Sequence, residues 1–260
     1  MIAPIAPDDR GFTLGDGLFE TVLSEAGELV DWPAHVRRLS EGCVALGLPV
    51  PEEGRLASHA RQALYAASLR EVRAAVRITW TAGRAGRGLE RPEELEPTLS
   101  VTAAPSPPPP PPARLVTVHL RRNETSLTSR HKTLSYVDNV MARRQAVEAG
   151  GDEALMLNTR GEVACASVAN LFWVKGEVLY TPVLECGVLA GVVRARVIEL
   201  APEFGLLARE VRASRPSLGD AEAIFLTNSL MGARPVASLD GQPLPQQVEH
   251  SILNDLLGRK

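Results

Sequence analysis

The chain has 260 residues and a mass of 27.9 kDa, and its 28 lysines and arginines against 31 aspartates and glutamates give a formal net charge of -3. This balance argues against a protein that binds nucleic acid through bulk charge, and three widely spaced cysteines fit neither a disulfide framework nor a zinc site. No apolar run approaches the roughly 20 residues that cross a bilayer, and no signal peptide pattern is present, so we expect a cytoplasmic protein without nucleic-acid or membrane partners.

The first 104 residues mix strand and helix patterns. Trp32 and Pro33 are typical of a helix start, and Val36, Leu39 and Cys43 then recur at helical spacing. The predicted elements of this part are a hairpin of 19–22 and 29–30, helices over 33–46 and 53–69, and strands over 76–80 and 99–101. We expect these elements to form a small α/β domain.

Residues 105–112 contain six consecutive prolines, Pro107 to Pro112. Prolines have no amide donor and favour the polyproline II conformation, so this segment predicts a stiff spacer of roughly 20 Å between two domains. The alternative is a long surface loop within a single domain.

Residues 113–260 predict a larger α/β domain. Its predicted strands are 115–120, 154–157, 171–174, 178–180, 206–211 and 223–226, and its predicted helices are 134–149, 192–204 and about 246–257. In the first of these helices, Val137, Val140, Met141 and Val147 share one side. Because strands and helices are interspersed without regular glycine-containing βαβ units, the predicted class is α+β in two domains.

Lys132 is the strongest candidate for chemistry. Only three of the 28 basic residues are lysines, namely Lys132, Lys175 and Lys260. Arginine can replace lysine on a surface but cannot act as an amine nucleophile, so each remaining lysine is of interest. Lys132 precedes a predicted helix, and a buried lysine among cations has a lowered pKa that suits it to form an imine with a carbonyl or with pyridoxal phosphate. The alternative is a surface lysine.

Three further segments could bind the phosphate of such a cofactor. Gly191, Val192 and Val193 open a predicted helix, whose N-terminal amides attract anions. A polar segment ending in Ser229 follows an apolar strand, and Arg38 lies off the apolar stripe of its helix. Read singly, these features also fit an ordinary helix start, a polar loop and a solvated arginine. The five histidines show no metal-ligand spacing, so we expect no metal site.

Together these segments resemble the class IV aminotransferase family, the pyridoxal-phosphate enzymes of fold type IV. The similar segments, in chain order, are Asp9-Arg10-Gly11-Phe12-Thr13-Leu14-Gly15-Asp16-Gly17-Leu18-Phe19-Glu20-Thr21, His35-Val36-Arg37-Arg38-Leu39, His131-Lys132-Thr133-Leu134-Ser135-Tyr136, Asn170-Leu171-Phe172, Thr181-Pro182 and Leu189-Ala190-Gly191-Val192-Val193-Arg194. The resemblance covers most of residues 9–241. It implies a two-domain fold like that of D-amino acid aminotransferase.

The resemblance also implies roles for individual residues. Lys132 would bind the aldehyde of pyridoxal 5'-phosphate covalently. The residues that would hold its phosphate are Arg38, Gly191 with the amides of Val192 and Val193, and Ser229 with the amide of Leu230. The cofactor would lie at the interface of the two domains, which gives the proline segment a hinge-like position. The family is usually homodimeric.

Cys165 departs from the family pattern. The family usually has a glutamate at this position, five residues before Asn170, where it pairs with the pyridine nitrogen of the cofactor. A thiol is a weak donor and cannot keep that nitrogen protonated as a carboxylate does. The departure weighs more against transamination, which depends strongly on the electron sink of the cofactor. It weighs less against a reaction that expels a leaving group and forms an aromatic product.

The function that this resemblance favours is that of a 4-amino-4-deoxychorismate lyase, which forms p-aminobenzoate and pyruvate for folate biosynthesis. Residues 170–176 and 227–236 are more similar to lyases than to transaminases, and Thr21, Arg84 and Arg87 are candidates for binding the substrate carboxylates. The alternatives are a D-amino acid or branched-chain amino acid transaminase, and a pyridoxal-phosphate-binding relative of low activity.

Overall fold

The computed structural model describes residues 5–244. Within the described residues, the contacts between Cα atoms separate two compact units, the first formed by 5–107 with 131–135 and the second by 108–130 with 136–244. The predicted helix at about 246–257 lies outside the described residues. The polyproline spacer and a cofactor site at the domain interface stay predictions, although residues 106–112 contain neither helix nor strand.

The first unit is built on a four-stranded antiparallel sheet with the strand order β2-β1-β3-β4. Its elements are α1 (Arg10–Leu14), β1 (Gly17–Glu25), β2 (Glu28–Leu29), α2 (Trp32–Leu46), α3 (Glu53–Ala66), β3 (Ala74–Thr81) and β4 (Leu99–Pro105). The predicted hairpin, helices and strands of this part are confirmed, with the second helix ending three residues early. Helix α1 was not predicted from the sequence. It is capped by the Asp9 carboxylate, which accepts a hydrogen bond from the Gly11 amide at 2.8 Å.

Strand alternation gives the first sheet two faces, one that packs against α2 and an opposite one, called the polar face below because it carries Thr21 and Arg77. Leu18 and Val22 of β1 pack with Leu39 and Cys43 of α2 in the core of the unit. The intervening β1 residues point to the opposite face because side chains alternate along a strand. That opposite face carries Thr21 and its direct β3 partner, Arg77.

The second unit contains a nine-stranded mixed sheet, ordered β10-β9-β8-β11-β12-β5-β6-β7, with β13 paired to β12. Its strands are β5 (Ala113–Arg122), β6 (Glu153–Asn158), β7 (Val163–Ala166), β8 (Asn170–Lys175), β9 (Val178–Pro182), β10 (Leu207–Val211), β11 (Ala223–Asn228), β12 (Gly232–Leu239) and β13 (Gln242–Pro243). Its helices are α4 (Leu127–Arg130), α5 (Val137–Glu148) and α6 (Val192–Leu200). Buried aromatic residues, including the stacked pair Phe172 and Phe225, link β8 and β11 to α6.

In the second unit, two predicted helices have different bounds and four elements were not predicted. The helix predicted over 192–204 is α6 followed by a 3₁₀ segment from Ala201 to Phe204, because Pro202 has no amide to continue the helix. The helix predicted over 134–149 begins only at Val137. Strands β7, β12 and β13 and helix α4 were not predicted, since each is short or carries glycine, proline or polar residues that weaken its pattern.

The apolar side predicted for α5 is not the side that packs. Val137 and Val140 are 72% and 62% exposed, whereas Asn139, Ala142 and Ala146 are buried. The buried positions recur at helical spacing, and their small side chains let the helix lie close to the sheet. Helix α5 is therefore held by a narrow stripe of alanine and asparagine.

The segment 131–135 packs with the first unit, although the sequence assigns all of 113–260 to the second domain. The Phe19 amide donates to the Lys132 carbonyl oxygen at 2.9 Å, and the Leu134 amide donates to the Gly17 carbonyl oxygen at 3.0 Å. Leu18 and Thr133 form an antiparallel bridge between them. The segment thus extends the first sheet along the free half of β1, next to β2.

Candidate active site

Lys132 lies on the polar face of the first sheet. Its pairing with β1 puts it opposite Phe19, and directly opposed residues of antiparallel strands share a face. The Lys132 Nζ atom lies 4.2 Å from the centroid of the Phe19 ring, and the Arg77 Cζ atom lies 3.9 Å from the same centroid. The two cationic groups are therefore within about 8 Å of each other.

The surroundings of Lys132 favour its neutral amine. Burial is the main cause, and the charges of Arg38 and Arg77 add to it, while Glu20 opposes them; together they lower the pKa of Lys132 to about 7. Desolvation and neighbouring cations both destabilise an ammonium group. A large fraction of Lys132 is consequently a free base, and thus a nucleophile, at neutral pH.

Arg38 is fixed by a buried carboxylate. Arg38 Nε donates to Glu20 Oε1 at 2.8 Å and Arg38 Nη2 donates to Glu20 Oε2 at 2.6 Å. His35 Nδ1 lies 2.7 Å from Glu20 Oε2. Glu20 and His35 are both buried. The predicted phosphate-binding arginine therefore belongs to an ordered cluster close enough to Lys132 to affect its charge.

The predicted substrate-binding residues are not all brought together. Thr21 lies opposite Arg77 on the sheet face that carries Lys132. Arg84 instead donates through Nε and Nη2 to Asp8 on the surface of the unit, and Arg87 lies in an exposed loop. Arg77 was missed by the sequence analysis, although an arginine that alternates with buried residues in a strand signals a charged group on the open face.

In the second unit, the N-terminus of α6 lies beside a group of polar side chains. Gly191 is the N-cap and has no side chain that could cap the helix, so the first amides of α6 can donate hydrogen bonds to an anion. Asn170 Nδ2 donates to the Leu189 carbonyl oxygen at 2.9 Å, just before the helix. Thr227 lies directly opposite Asn170 in the sheet. Its buried Oγ1 has no hydrogen-bond partner in that part of the chain.

The turn between β11 and β12 contains Ser229 and Leu230. The Leu230 amide donates to Asn228 Oδ1 at 3.0 Å, and the Met231 amide donates to the same oxygen at 2.9 Å. The amide that the resemblance assigns to the phosphate thus already has an acceptor within the turn. A phosphate at Leu230 must share or replace this hydrogen bond.

Cys165 is buried in β7 among apolar residues that include Met156 and Val188. Burial raises the pKa of its thiol, which the charge of Arg122 lowers in part. The group is therefore a neutral thiol at neutral pH. The Arg122 guanidinium is buried as well and donates to Ser129 O at 2.8 Å and Asn139 Oδ1 at 3.1 Å.

Residues 5–244 contain no group of three or more histidine, cysteine or acidic side chains arranged to hold a metal ion. Every helix in this described part is too short or too polar to serve as a membrane span.

The amino-acid sequence matches the family model described as amino-transferase class IV over residues 17–239. The chain belongs to the class IV aminotransferase family. It is 29% identical over 236 residues to the aminodeoxychorismate lyase of Vibrio harveyi, with 89% of this chain and 86% of the relative covered. It is 31% identical over 244 residues to a putative branched-chain-amino-acid aminotransferase of Methanocaldococcus jannaschii, covering 92% of this chain and 84% of the relative.

The fold is similar to that of a solved structure described as a putative 4-amino-4-deoxychorismate lyase from Legionella pneumophila. The TM-score is 0.91 and the sequence identity 30%, with 99% of this chain and 94% of the other covered. The predicted family, its two-domain fold type IV class and its enzyme nature are therefore confirmed. The matches do not test the individual site residues, which stay predictions.

Proposed function

We propose that this class IV family member is a pyridoxal-phosphate-dependent 4-amino-4-deoxychorismate lyase that releases p-aminobenzoate and pyruvate. The Vibrio harveyi relative and the Legionella pneumophila structure, which cover most of this chain, both carry that activity in their names. The proposal includes a homodimer in the cytoplasm, which rests on the family resemblance. The proposed activity agrees with the side chains and amides that each unit offers to the cofactor.

The chain's residues suit the cofactor at its aldehyde and phosphate ends. Lys132 offers an amine with a pKa of about 7, and Arg38 offers a fixed guanidinium. In the second unit, Val192 and Val193 offer helix N-terminal amides, and Thr227 offers a buried hydroxyl without a partner among residues 5–244. These groups are the donors that a phosphate ester accepts. The ring-nitrogen end differs from the family pattern at Cys165.

The observation that carries the proposal is the placement of Lys132. This residue is fixed to β1 by the Phe19 amide and holds its Nζ 4.2 Å from the centroid of the Phe19 ring, beside the charges of Arg38 and Arg77. When bound, pyridoxal phosphate acts as an electron sink for the carbon that bears the substrate's amino group. The neutral Nζ of Lys132 can accept the proton from that carbon, because its pKa of about 7 matches the working pH of a general base. As the bond between the ring carbon and the ether oxygen of the enolpyruvyl group breaks, that oxygen becomes the carbonyl oxygen of pyruvate, and the Lys132 ammonium can return the proton to the methylene carbon.

Substrate carboxylates suit the polar face of the first sheet. Arg77 carries a positive charge within about 8 Å of Lys132 Nζ, and Thr21 offers a hydroxyl opposite it. We propose this pair, rather than Arg84 and Arg87, as the groups that bind a carboxylate. Arg84 is already paired with Asp8.

The second candidate is a branched-chain or D-amino acid transaminase, supported by the similarity to the Methanocaldococcus jannaschii relative. Cys165 opposes it, because a buried neutral thiol supports a protonated cofactor ring less well than a carboxylate and transamination depends strongly on that electron sink. A relative that binds the cofactor with low activity is the third candidate.

Product analysis distinguishes these candidates. Purified protein with pyridoxal phosphate and 4-amino-4-deoxychorismate should form p-aminobenzoate and pyruvate in equal amounts without a keto-acid acceptor. An absolute requirement for an acceptor would reject the lyase, and cofactor binding without turnover of either substrate class would favour the third candidate. After borohydride reduction, peptide mass spectrometry should find the cofactor on Lys132, and the Lys175→Ala variant should retain the label while Lys132→Ala loses it.

A further inference from the structure

Glu20 is a buried carboxylate that the proposed reaction does not use. It lies in β1 on the face that packs against α2 and is 1% exposed. Its two oxygens accept three hydrogen bonds, from Arg38 Nε at 2.8 Å, from Arg38 Nη2 at 2.6 Å and from His35 Nδ1 at 2.7 Å. Removal of either partner from such a buried pair leaves an uncompensated charge, so the positions of Glu20 and Arg38 constrain each other.

The charge state of this cluster follows from its contacts. Burial by itself raises the pKa of Glu20, but the charge and hydrogen bonds of Arg38, with those of His35, lower it to about 2. Glu20 is therefore an ionised, acceptor-only group at neutral pH. Consequently, His35 Nδ1 carries the hydrogen of the 2.7 Å contact and acts as a donor.

The geometry restrains the guanidinium of Arg38 in two ways. Two parallel N–H···O bonds to a single carboxylate fix the plane of a guanidinium as well as its distance. His35 fixes the carboxylate in turn, because it holds Oε2 from α2, the helix that also carries Arg38. Arg38 is thereby preorganised before any ligand arrives.

We propose that Glu20, oriented by His35, is a positioning residue that holds Arg38 in the orientation required to bind the phosphate of pyridoxal phosphate. The inference rests on the proposed function, which assigns that phosphate to Arg38. Neither Glu20 nor His35 needs to touch the cofactor. Preorganisation lowers the ordering cost of binding, so its loss weakens binding of the phosphate group specifically.

A competing expectation makes this proposal testable. If Glu20 acted only as a nearby negative charge, its neutralisation would strengthen binding of a phosphate dianion. If Glu20 acts as a positioning residue, Glu20→Gln weakens binding, because the amide NH2 group faces the N–H groups of Arg38 and the two-bond contact is lost. The two roles thus predict opposite changes in the affinity of Glu20→Gln for the phosphate group.

The experiment compares two ligands that differ only in the phosphate. The dissociation constants of pyridoxal phosphate and of pyridoxal are measured on the full-length apoprotein. The constant for pyridoxal divided by the constant for pyridoxal phosphate gives the contribution of the phosphate to affinity, and a lower ratio means a smaller contribution. We expect Arg38→Ala to reduce this ratio most, and Glu20→Gln to reduce it by about 10- to 100-fold, which is the loss typical of a charge-assisted hydrogen bond. The affinity for pyridoxal should change little in Glu20→Gln.

The controls separate positioning from general damage. Asp16 is another carboxylate of the first unit with two arginine partners, Arg10 and Arg91, so Asp16→Asn should leave the ratio unchanged. His35→Asn keeps an N–H donor near the place of Nδ1 and should preserve the ratio, whereas His35→Leu should lower it. This pair provides the test if Glu20→Gln does not fold.

Three outcomes would overturn the inference: an unchanged ratio in Glu20→Gln, a raised ratio, or an equal loss of affinity for both ligands, which indicates a merely structural role. Failure of the proposed function looks different. In that case wild-type protein binds neither ligand, or binds pyridoxal phosphate without forming a borohydride-reducible bond to Lys132.

Discussion

Replacement of Gly191 by alanine should disturb the start of α6 chiefly through its contact with Asn170. A Cβ atom added at Gly191 would lie 1.9 Å from Asn170 Oδ1 and 3.2 Å from Arg194 Cβ. The backbone itself permits alanine, because φ at Gly191 is -71°. The cost of Gly191→Ala therefore comes mainly from the contact with Asn170, with a smaller part from Arg194, and not from backbone strain.

The size of the effect follows from this contact. Ordinary van der Waals contact begins at 3.4 Å, so the two atoms must separate by about 1.5 Å. Asn170 is 6% exposed and donates to the Leu189 carbonyl oxygen at 2.9 Å, so it can move only by losing that bond. Overpacking costs about 1–3 kcal/mol and a lost hydrogen bond about 1 kcal/mol, and we expect Gly191→Ala to lower the free energy of unfolding by about 2–4 kcal/mol.

Urea unfolding of the apoprotein, followed by far-UV circular dichroism and tryptophan fluorescence, measures this loss. The Gly86→Ala variant is the control, because a Cβ at Gly86 would meet nothing within 4 Å. Its free energy of unfolding should change by less than about 0.5 kcal/mol. The proposed phosphate donors include the amides of Val192 and Val193 at the start of α6. Gly191→Ala should therefore also weaken the binding of pyridoxal phosphate.

A double-mutant cycle tests the assigned cause. In an Asn170→Ala background the obstructing oxygen is absent, so adding Gly191→Ala should cost less than about 0.5 kcal/mol, and the coupling energy should be about 2 kcal/mol. Equal costs in both backgrounds would refute the contact with Asn170 as the cause. A wild-type unfolding curve for the single variant would refute the predicted clash itself.

Three further predictions concern the proposed lyase. Acylation of Lys132 in the apoprotein, followed by peptide mass spectrometry, should decline as the pH falls through about 7, because only the neutral amine reacts; a midpoint near 10 would contradict the lowered pKa. Arg77→Leu should raise KM for the dicarboxylate substrate at least about tenfold, whereas Arg84→Leu should leave it unchanged, because Arg84 is held by Asp8. Cys165→Glu should accelerate formation of p-aminobenzoate, and a slower rate would show that the thiol has a role of its own.

The sequence predicts the first unit well because its elements have clear periods. Val36, Leu39 and Cys43 recur at helical spacing, and two of them are fully buried in the core. Alternation over 76–80 likewise identifies β3. By contrast, no local pattern reveals that 131–135 pairs with β1, because its hydrogen-bond partners lie more than 100 residues earlier in the chain.

Helix α5 shows where periodicity misleads. Its valines and methionine suggest an apolar side, but its buried stripe contains Asn139 and two alanines. Asn139 can be buried because it makes specific hydrogen bonds, donating to Ser167 O at 2.6 Å and accepting from Arg122. Such partners come from distant segments, so hydropathy along one helix cannot identify them.

The sequence identifies Lys132 as the proposed nucleophile and Arg38 as a proposed phosphate ligand. It does not single out Glu20 and Arg77, whose charges act on Lys132 in the structure. Lys132 stands out because lysine is scarce in this chain and cannot be replaced in amine chemistry. Glu20 and Arg77 belong to no such scarce class, and their sequence neighbours resemble an ordinary amphipathic strand. Their importance follows from the register of β1 and β3 and from the bonds to α2, which appear only in three dimensions.

At Cys165, where the family usually has a glutamate, burial raises the pKa of the thiol, the charge of Arg122 lowers it and the charge of Glu153 raises it. Arg122 is buried, and its hydrogen bonds go to neutral oxygens of Gly187, Asn139 and Ser129. Its charge lowers the pKa of the thiol only in part, so no negative charge at position 165 balances it at neutral pH. If the pyridine nitrogen of the cofactor lies beside Cys165, as the family resemblance implies, the positive charge of Arg122 disfavours its protonation, because like charges repel strongly in a buried site. A glutamate at position 165 would counter the guanidinium and reverse this preference, which is why Cys165→Glu should improve the electron sink even though it introduces a buried carboxylate.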